Sequence, residues 1–133
     1  MDTTTDTAKN YIRHGAGAVR AYLYGNADLP EFVEQVFGAE VIERADYDDK
    51  SAHVEMRIDD SVFVIEAGVT HETVTRASVY VYVPDVDAAY QRALRLGATS
   101  VAEPADKPYG DRNGGVKDRF GNTWWIGTHL GDK

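Results

Sequence analysis

The chain has 133 residues, 43% apolar and 27% charged, with a formal net charge of −8. This is the size of one ordinary domain with enough apolar residues for a core, and no apolar run approaches the ~20 residues that span a bilayer. The acidic balance argues against nucleic acid and anionic membranes as partners. The absence of cysteine, and of any apolar stretch in the opening MDTTTDTAKN, makes the cytoplasm the expectation.

Residues 1–17 are rich in Thr, Asp and Gly and read as a flexible tail, with His14 as solvent-facing polarity. A single domain over 18–133 is expected to follow. The stretch AVRAYLYGNAD is a strand leading into a helix, with Asp28 as N-cap and Glu31 completing a capping box. Leu29, Phe32, Val33 and Val36 recur at helical spacing, and Gly38 ends the helix, which is expected over 29–37. AEVIER restarts an extended run. Next, SAHVEMRI and SVFVIEAG are linked by Asp59-Asp60. Strict alternation puts Ala52, Val54, Met56 and Ile58 on one face and His53, Glu55 and Arg57 on the other. A two-residue turn at Asp59-Asp60 would set His53 opposite Glu66, and Arg57 opposite Val62.

The pattern then repeats. SVYVYVPDVD is a strand running into an Asp85 cap. Val86, Ala89, Tyr90, Ala93 and Leu94 form a helical stripe closed by Gly97, giving a helix near 86–96. LGATSVAEP echoes FGAEVIER, and GGVKDR with NTWWIGT forms a second hairpin. The order is βαβββ twice, at about 18–68 and 77–129. This is an α+β fold in which each helix covers one face of a four-stranded sheet and the other faces wrap a cleft. Gly114-Gly115 and Gly121-Asn122 read as turn chemistry. Tyr109, Asp111 and Arg112 read as a loop preceding the hairpin. Trp124 is expected in the core and Trp125 on the opposite face.

Two such modules, with FGAEV, YVPDVDAAYQRALRLGAT and YGDRNGGVKDRFGNTWWIGTH, resemble the vicinal oxygen chelate superfamily over roughly residues 18–129. That superfamily holds glyoxalase I, extradiol dioxygenases, and fosfomycin and bleomycin resistance proteins. The nearest likeness is to its PhnB-like branch. Where that branch usually has Asp-Pro before its Phe-Gly turn, this chain has Asp118-Arg119, which should loosen the turn and leave the fold intact. The resemblance implies a homodimer and, in the superfamily's enzymes, a divalent metal held from four strands. Those positions fall on Ala21, Glu66, Val79 and Trp125, and the neighbours Arg20, Tyr22, Tyr80 and Trp124 are no better suited. Only Glu66 could bind a metal, so neither a metal nor another cofactor is expected.

Two functions stay open. One is a metal-independent cup that sequesters an aromatic or polycyclic molecule, in the manner of the resistance proteins, with His53, Glu66, Arg57, Tyr109, Arg112 and Trp125 as candidate binding residues. The other is a lyase or isomerase in which His53 and Glu66 act as acid and base, with or without a divalent metal. The His53/Glu66 pair could equally be a cross-strand charge pair at the rim. Arg112 could contact an anion or carbonyl, or form a network with Asp111 that ties its loop down. His71 and His129 read as surface residues. There is no nucleophile elbow, phosphate-cradling glycine loop or basic aromatic patch.

Overall fold

The computed structural model describes residues 11–15, 17–69 and 74–131. After a short turn at Arg13–Gly15, the first module runs β1 (Tyr22–Gly25), α1 (Leu29–Phe37), β2 (Glu40–Asp46), β3 (Ala52–Ile58) and β4 (Ser61–Ala67). The second runs β5 (Ser78–Tyr82), α2 (Val86–Arg95), β6 (Thr99–Asp106), β7 (Asp111–Lys117) and β8 (Thr123–His129). The sheets are ordered β1-β4-β3-β2 and β5-β8-β7-β6. In each, the first strand lies parallel to the fourth and the remaining pairs are antiparallel. The repeated βαβββ order is therefore present, as two sheets and two helices. None of the described helices is long and apolar enough to cross a membrane.

Both helices bury the stripe that their sequence presents. On α1 it is Leu29, Val33 and Val36, and on α2 it is Val86, Ala89, Tyr90 and Ala93. Fully burying a Val or Leu side chain contributes about 1.5–3 kcal/mol. Gly38 adopts φ 70° and returns its N–H to the Glu34 carbonyl, a left-handed ending that favours glycine. Asp85 caps α2 by accepting from the Ala88 amide at 3.1 Å. Asp28 does not cap α1. Its carboxylate pairs instead with Arg119 of the last hairpin, and its backbone (φ −93°, ψ 3°) is not extended as an N-cap should be.

The β3–β4 hairpin turns on Asp59, at φ 51°, and its register sets His53 opposite Glu66 and Arg57 opposite Val62. The helix-facing side chains of both sheets join one core that includes Leu23, Val54, Met56, Ile65, Val116, Trp124 and Ile126. Contacts on the core side tie the modules together. Phe37 lies against Trp124 with ring centroids 5.4 Å apart, and Arg92 Nη2 donates to the Val36 carbonyl at 2.8 Å.

Two expectations about the final segment are corrected. Gly114 and Gly115 sit inside β7 without positive φ, so they are not a turn. They are small because something lies on them: a Cβ on Gly115 would come 2.7 Å from the Trp125 ring, and one on Gly114 would come 2.9 Å from the Ala102 carbonyl oxygen. Asp111 and Arg112 likewise belong to β7 and not to a preceding loop. The Asp118-Arg119 turn is held tightly. Asp118 Oδ1 accepts from the amides of Phe120, Gly121 and Asn122, and Oδ2 accepts from Asn122 Nδ2 and Trp124 Nε1.

Candidate functional site

Each sheet has a second face turned away from the helices. On the first sheet this open face carries Tyr22 and Tyr24 from β1, His53, Glu55 and Arg57 from β3, and Glu66 from β4. His53 and Glu66 meet as their register requires, with Nδ1 2.5 Å from Glu66 Oε1. The other ring nitrogen is also occupied, since Nε2 lies 2.8 Å from Glu55 Oε2. Glu66 in turn accepts from the Tyr47 hydroxyl at 2.6 Å. Glu55 is buried and receives Arg13 Nε at 3.2 Å and His14 Nε2 at 2.6 Å. A chain of contacts thus runs Tyr47–Glu66–His53–Glu55–His14. His14 belongs to it and is not the solvent-facing bystander expected of it. Tyr47 comes from the adjoining β2–β3 connection and His14 from the segment before β1, and no periodic pattern in the sequence links either to His53.

The electrostatics follow from this geometry. Burial alone would lower the His53 pKa, but the hydrogen bonds to Glu55 and Glu66 outweigh it and hold the imidazolium above its usual range. For Glu55, burial favours the neutral acid, yet His53, His14 and Arg13 win and lower its pKa. The Tyr47 hydroxyl, donating to Glu66, is pushed up to about 12.

The open face of the second sheet is aromatic. Tyr80 and Tyr82 from β5 stand beside Trp125 and Gly127 of β8, which lie beside Asn113 and Gly115 of β7. Two glycines make room for rings to lie across the strands. The Trp125 ring covers Gly115, and the Tyr80 ring covers Gly127, where a Cβ would come 2.1 Å from its hydroxyl. The hydroxyls are anchored. Asp111 Oδ2 accepts from Tyr80 at 2.8 Å and Tyr82 at 2.9 Å, and Asp111 Oδ1 meets His129 Nδ1 at 2.8 Å. Asn113 Nδ2 donates to the hydroxyls of Tyr80 and Tyr109. Burial, together with the bond to Asp111, pushes Tyr80 up to about 12, and the bond to Asp111 raises Tyr82. Donation from His129 and the two phenols lowers Asp111. His129 is therefore part of this cluster, although its place near the chain end marked it only as a surface residue.

Arg57 reaches Glu40 at 3.3 Å on an exposed edge. Arg112 points to the opposite side of β7 from Asp111 and is held by Asp87 and Asp106, the Asp87 contact being two-pronged. Its role in tying down the chain is real, but its partners are not Asp111. Trp125 is on the open face and Trp124 in the core, as expected. His71 lies outside the described residues. Ala21 and Val79 are one residue out of step with the open faces. They line a cleft of about 390 Å³ between β1, the β3–β4 hairpin and β5, whose walls include Leu23, Phe63, Tyr80, Tyr82 and Trp124.

Strand by strand, the open-face residues nearest the implied metal positions are Tyr22 or Tyr24, Glu66, Tyr80 and Trp125. Glu66 is the one ordinary metal donor among them, and it is engaged by His53 and Tyr47. This donor set does not fit a divalent metal. His14, Glu43 and Glu55 also converge, but Arg13 already bridges the two carboxylates, which makes the group an ion-pair network.

The fold has many solved relatives. TioX from Micromonospora sp. ML1 superposes with a TM-score of 0.65 at 24% identity, covering 85% of this chain and all (100%) of that one. A PhnB protein from Bacillus cereus gives 0.66 at 16%, covering 84% and 99%. The fosfomycin resistance protein FosX from Listeria monocytogenes gives 0.63 at 19%, covering 86% and 93%. These likenesses show the fold alone. An uncharacterised protein of Mycobacterium bovis is 47% identical over 53 residues, 40% of this chain and 35% of that protein, so the match spans about a third of that relative's length. Residues 28–126 match the family model of the Glyoxalase/Bleomycin resistance protein/Dioxygenase superfamily, and the chain belongs to that superfamily.

Proposed function

We propose that this protein binds a small planar aromatic molecule on the open face of its second sheet, without a metal. The observation that carries the reading is the aromatic floor: Trp125 and Tyr80 laid flat over Gly115 and Gly127, with Tyr82 and Tyr109 beside them. Rings held this way stack on a planar ligand at little cost in side-chain entropy. The family setting supports the reading, because FosX is named a fosfomycin resistance protein. The acid/base alternative is weaker on geometry. Both ring nitrogens of His53 face carboxylates, so neither is left to take a proton from a substrate.

Two copies, paired in the cytoplasm, make up our reading of the working form. The open faces leave Tyr22, Tyr47, Tyr80, Tyr82 and Tyr109 exposed, and the open face of a second copy would close over the ligand. Sedimentation at micromolar concentration should show a dimer, and a monomer there would remove the pairing. For the binding itself, the quenching of tryptophan fluorescence is titrated with planar aromatic probes. Trp125→Ala should weaken the best probe about tenfold, the equivalent of ~1.4 kcal/mol of lost stacking. Undiminished binding by that variant would refute the reading.

A further inference from the structure

The aromatic floor surrounds a charge that stacking alone does not use. Asp111 is 5% exposed, yet its carboxylate has no lysine or arginine partner among the described residues. Two of its three side-chain donors are the phenols of Tyr80 and Tyr82, and the third is the imidazole of His129. Arg112, next in sequence, is turned to the other face and committed to Asp87 and Asp106. Phenol donors spread the negative charge of a carboxylate without cancelling it, and His129, its one ion-pair partner among the described residues, cancels it only while protonated. The Tyr80 and Tyr82 rings stand 5.0 Å apart at 52° to each other and remain 40% and 61% exposed. Tyr109, 64% exposed, is joined to them through Asn113. Ring faces attract cations, and more strongly when a carboxylate lies behind the rings. The net charge of −8 draws cations toward the whole molecule.

We propose that this floor selects an organic cation: a planar aromatic system bearing a fixed positive charge, with its rings on Trp125 and its charge over Tyr80 and Tyr82, in front of Asp111. The inference rests on the reading that this face binds a planar aromatic molecule, and it adds the sign of the ligand's charge. The test compares N-methylacridinium with neutral acridine, two probes of nearly equal shape, by calorimetric titration of the full-length protein under alkaline conditions that keep acridine neutral. The cation should bind about tenfold more tightly, and added salt should narrow the gap. Asp111→Asn, which keeps an acceptor oxygen for the phenols, should bring the two probes to within about twofold of each other. Tyr82→Leu, at an exposed position, should weaken the cation more than the neutral probe, and it carries the test if the Asp111 variant does not fold. Equal binding of the two probes by the unaltered protein would overturn the cation preference and leave aromatic binding standing. Binding of neither would overturn both. A preference that survives both substitutions would belong to the overall charge and not to this site, and would also overturn the proposal.

Discussion

Replacing Asp118 with alanine removes the acceptor of five hydrogen bonds at once: three backbone amides, the Asn122 side chain and the Trp124 indole. The cost can be worked from where those donors sit. The amides of Phe120 and Gly121 are in half-buried residues, and water can replace the lost oxygen there at little cost. Asn122 Nδ2 keeps its second acceptor, the Tyr24 carbonyl. The amide of Asn122 and Nε1 of Trp124 have no such recourse, in residues 0% and 1% exposed. Two buried donors left unpaired, at ~1–3 kcal/mol each, give a loss of about 2–6 kcal/mol, against a typical total near 5–15 kcal/mol. Asp118→Asn keeps one oxygen and should lose about half as much. Urea unfolding followed by tryptophan fluorescence and extrapolated to water measures both. An alanine variant within ~0.5 kcal/mol of the unaltered protein, the range of ordinary surface changes, would refute the idea that this carboxylate organises the last hairpin.

Trp124→Ala should cost ~3–5 kcal/mol, as large aromatic truncations in cores do, whereas Trp125→Ala should cost less stability and more ligand affinity. The reverse pattern in paired unfolding and binding titrations would mean that the faces of β8 are exchanged. Glu66→Gln and Glu55→Gln should each lower the titration midpoint of His53, followed by NMR on its ring protons, and an unmoved midpoint in both would show that the ring is not held between the two carboxylates. Stability should also depend on pH through this group. Because the folded-state pKa of His53 is raised, its contribution is full below the usual ~6.5 and is lost as pH rises through the raised value. The lowered pKa of Glu55 gives a contribution that is full above the usual ~4.3 and is lost as pH falls through its folded-state value. Denaturant midpoints should therefore be higher near pH 6 than at pH 9, and a Glu55→Gln/Glu66→Gln double variant should show a smaller difference.

What could be read in advance was what local periodicity controls. The alternation over 52–58 has a period of two, so once a two-residue turn is assumed the meeting of His53 with Glu66 follows without any knowledge of the tertiary fold. The helices announced themselves by 3.6-residue stripes and by Gly38 and Gly97. The misreadings share a different cause. Gly114-Gly115 looks like a turn, because the reason for both glycines is a ring contributed by Trp125 and a carbonyl from Ala102 on neighbouring strands. Asp28 looks like a cap, because its competing partner Arg119 lies 91 residues away in the number sequence (119 − 28). On β1, Tyr22, Leu23 and Tyr24 are all compatible with burial, so the sequence leaves the strand's faces ambiguous, and Ala21 lies one residue out of step with the open-face residues Tyr22 and Tyr24. The partners of Asp111 come from β5 and β8, and only the assembled sheet brings them to one carboxylate.

The two modules repeat one backbone but use their open faces in opposite ways, and this difference bears on function. On the first sheet the ionisable groups around His53 find partners of complementary character. His53 is clamped by two carboxylates, Glu55 takes Arg13 and His14, and Glu66 takes a phenol. Such a network stabilises and orients, but it offers a substrate no unengaged ring nitrogen on His53. On the second sheet the polar ends are turned inward to Asp111 and Asn113, which leaves ring faces outward. Proton transfer needs an unengaged titrating atom, whereas stacking needs only immobilised rings with open faces. The first sheet lacks the former and the second has the latter. On the binding reading proposed above, recognition would fall to the second module, with the first as the firm, charged wall against which a ligand, or a second copy of the chain, is set.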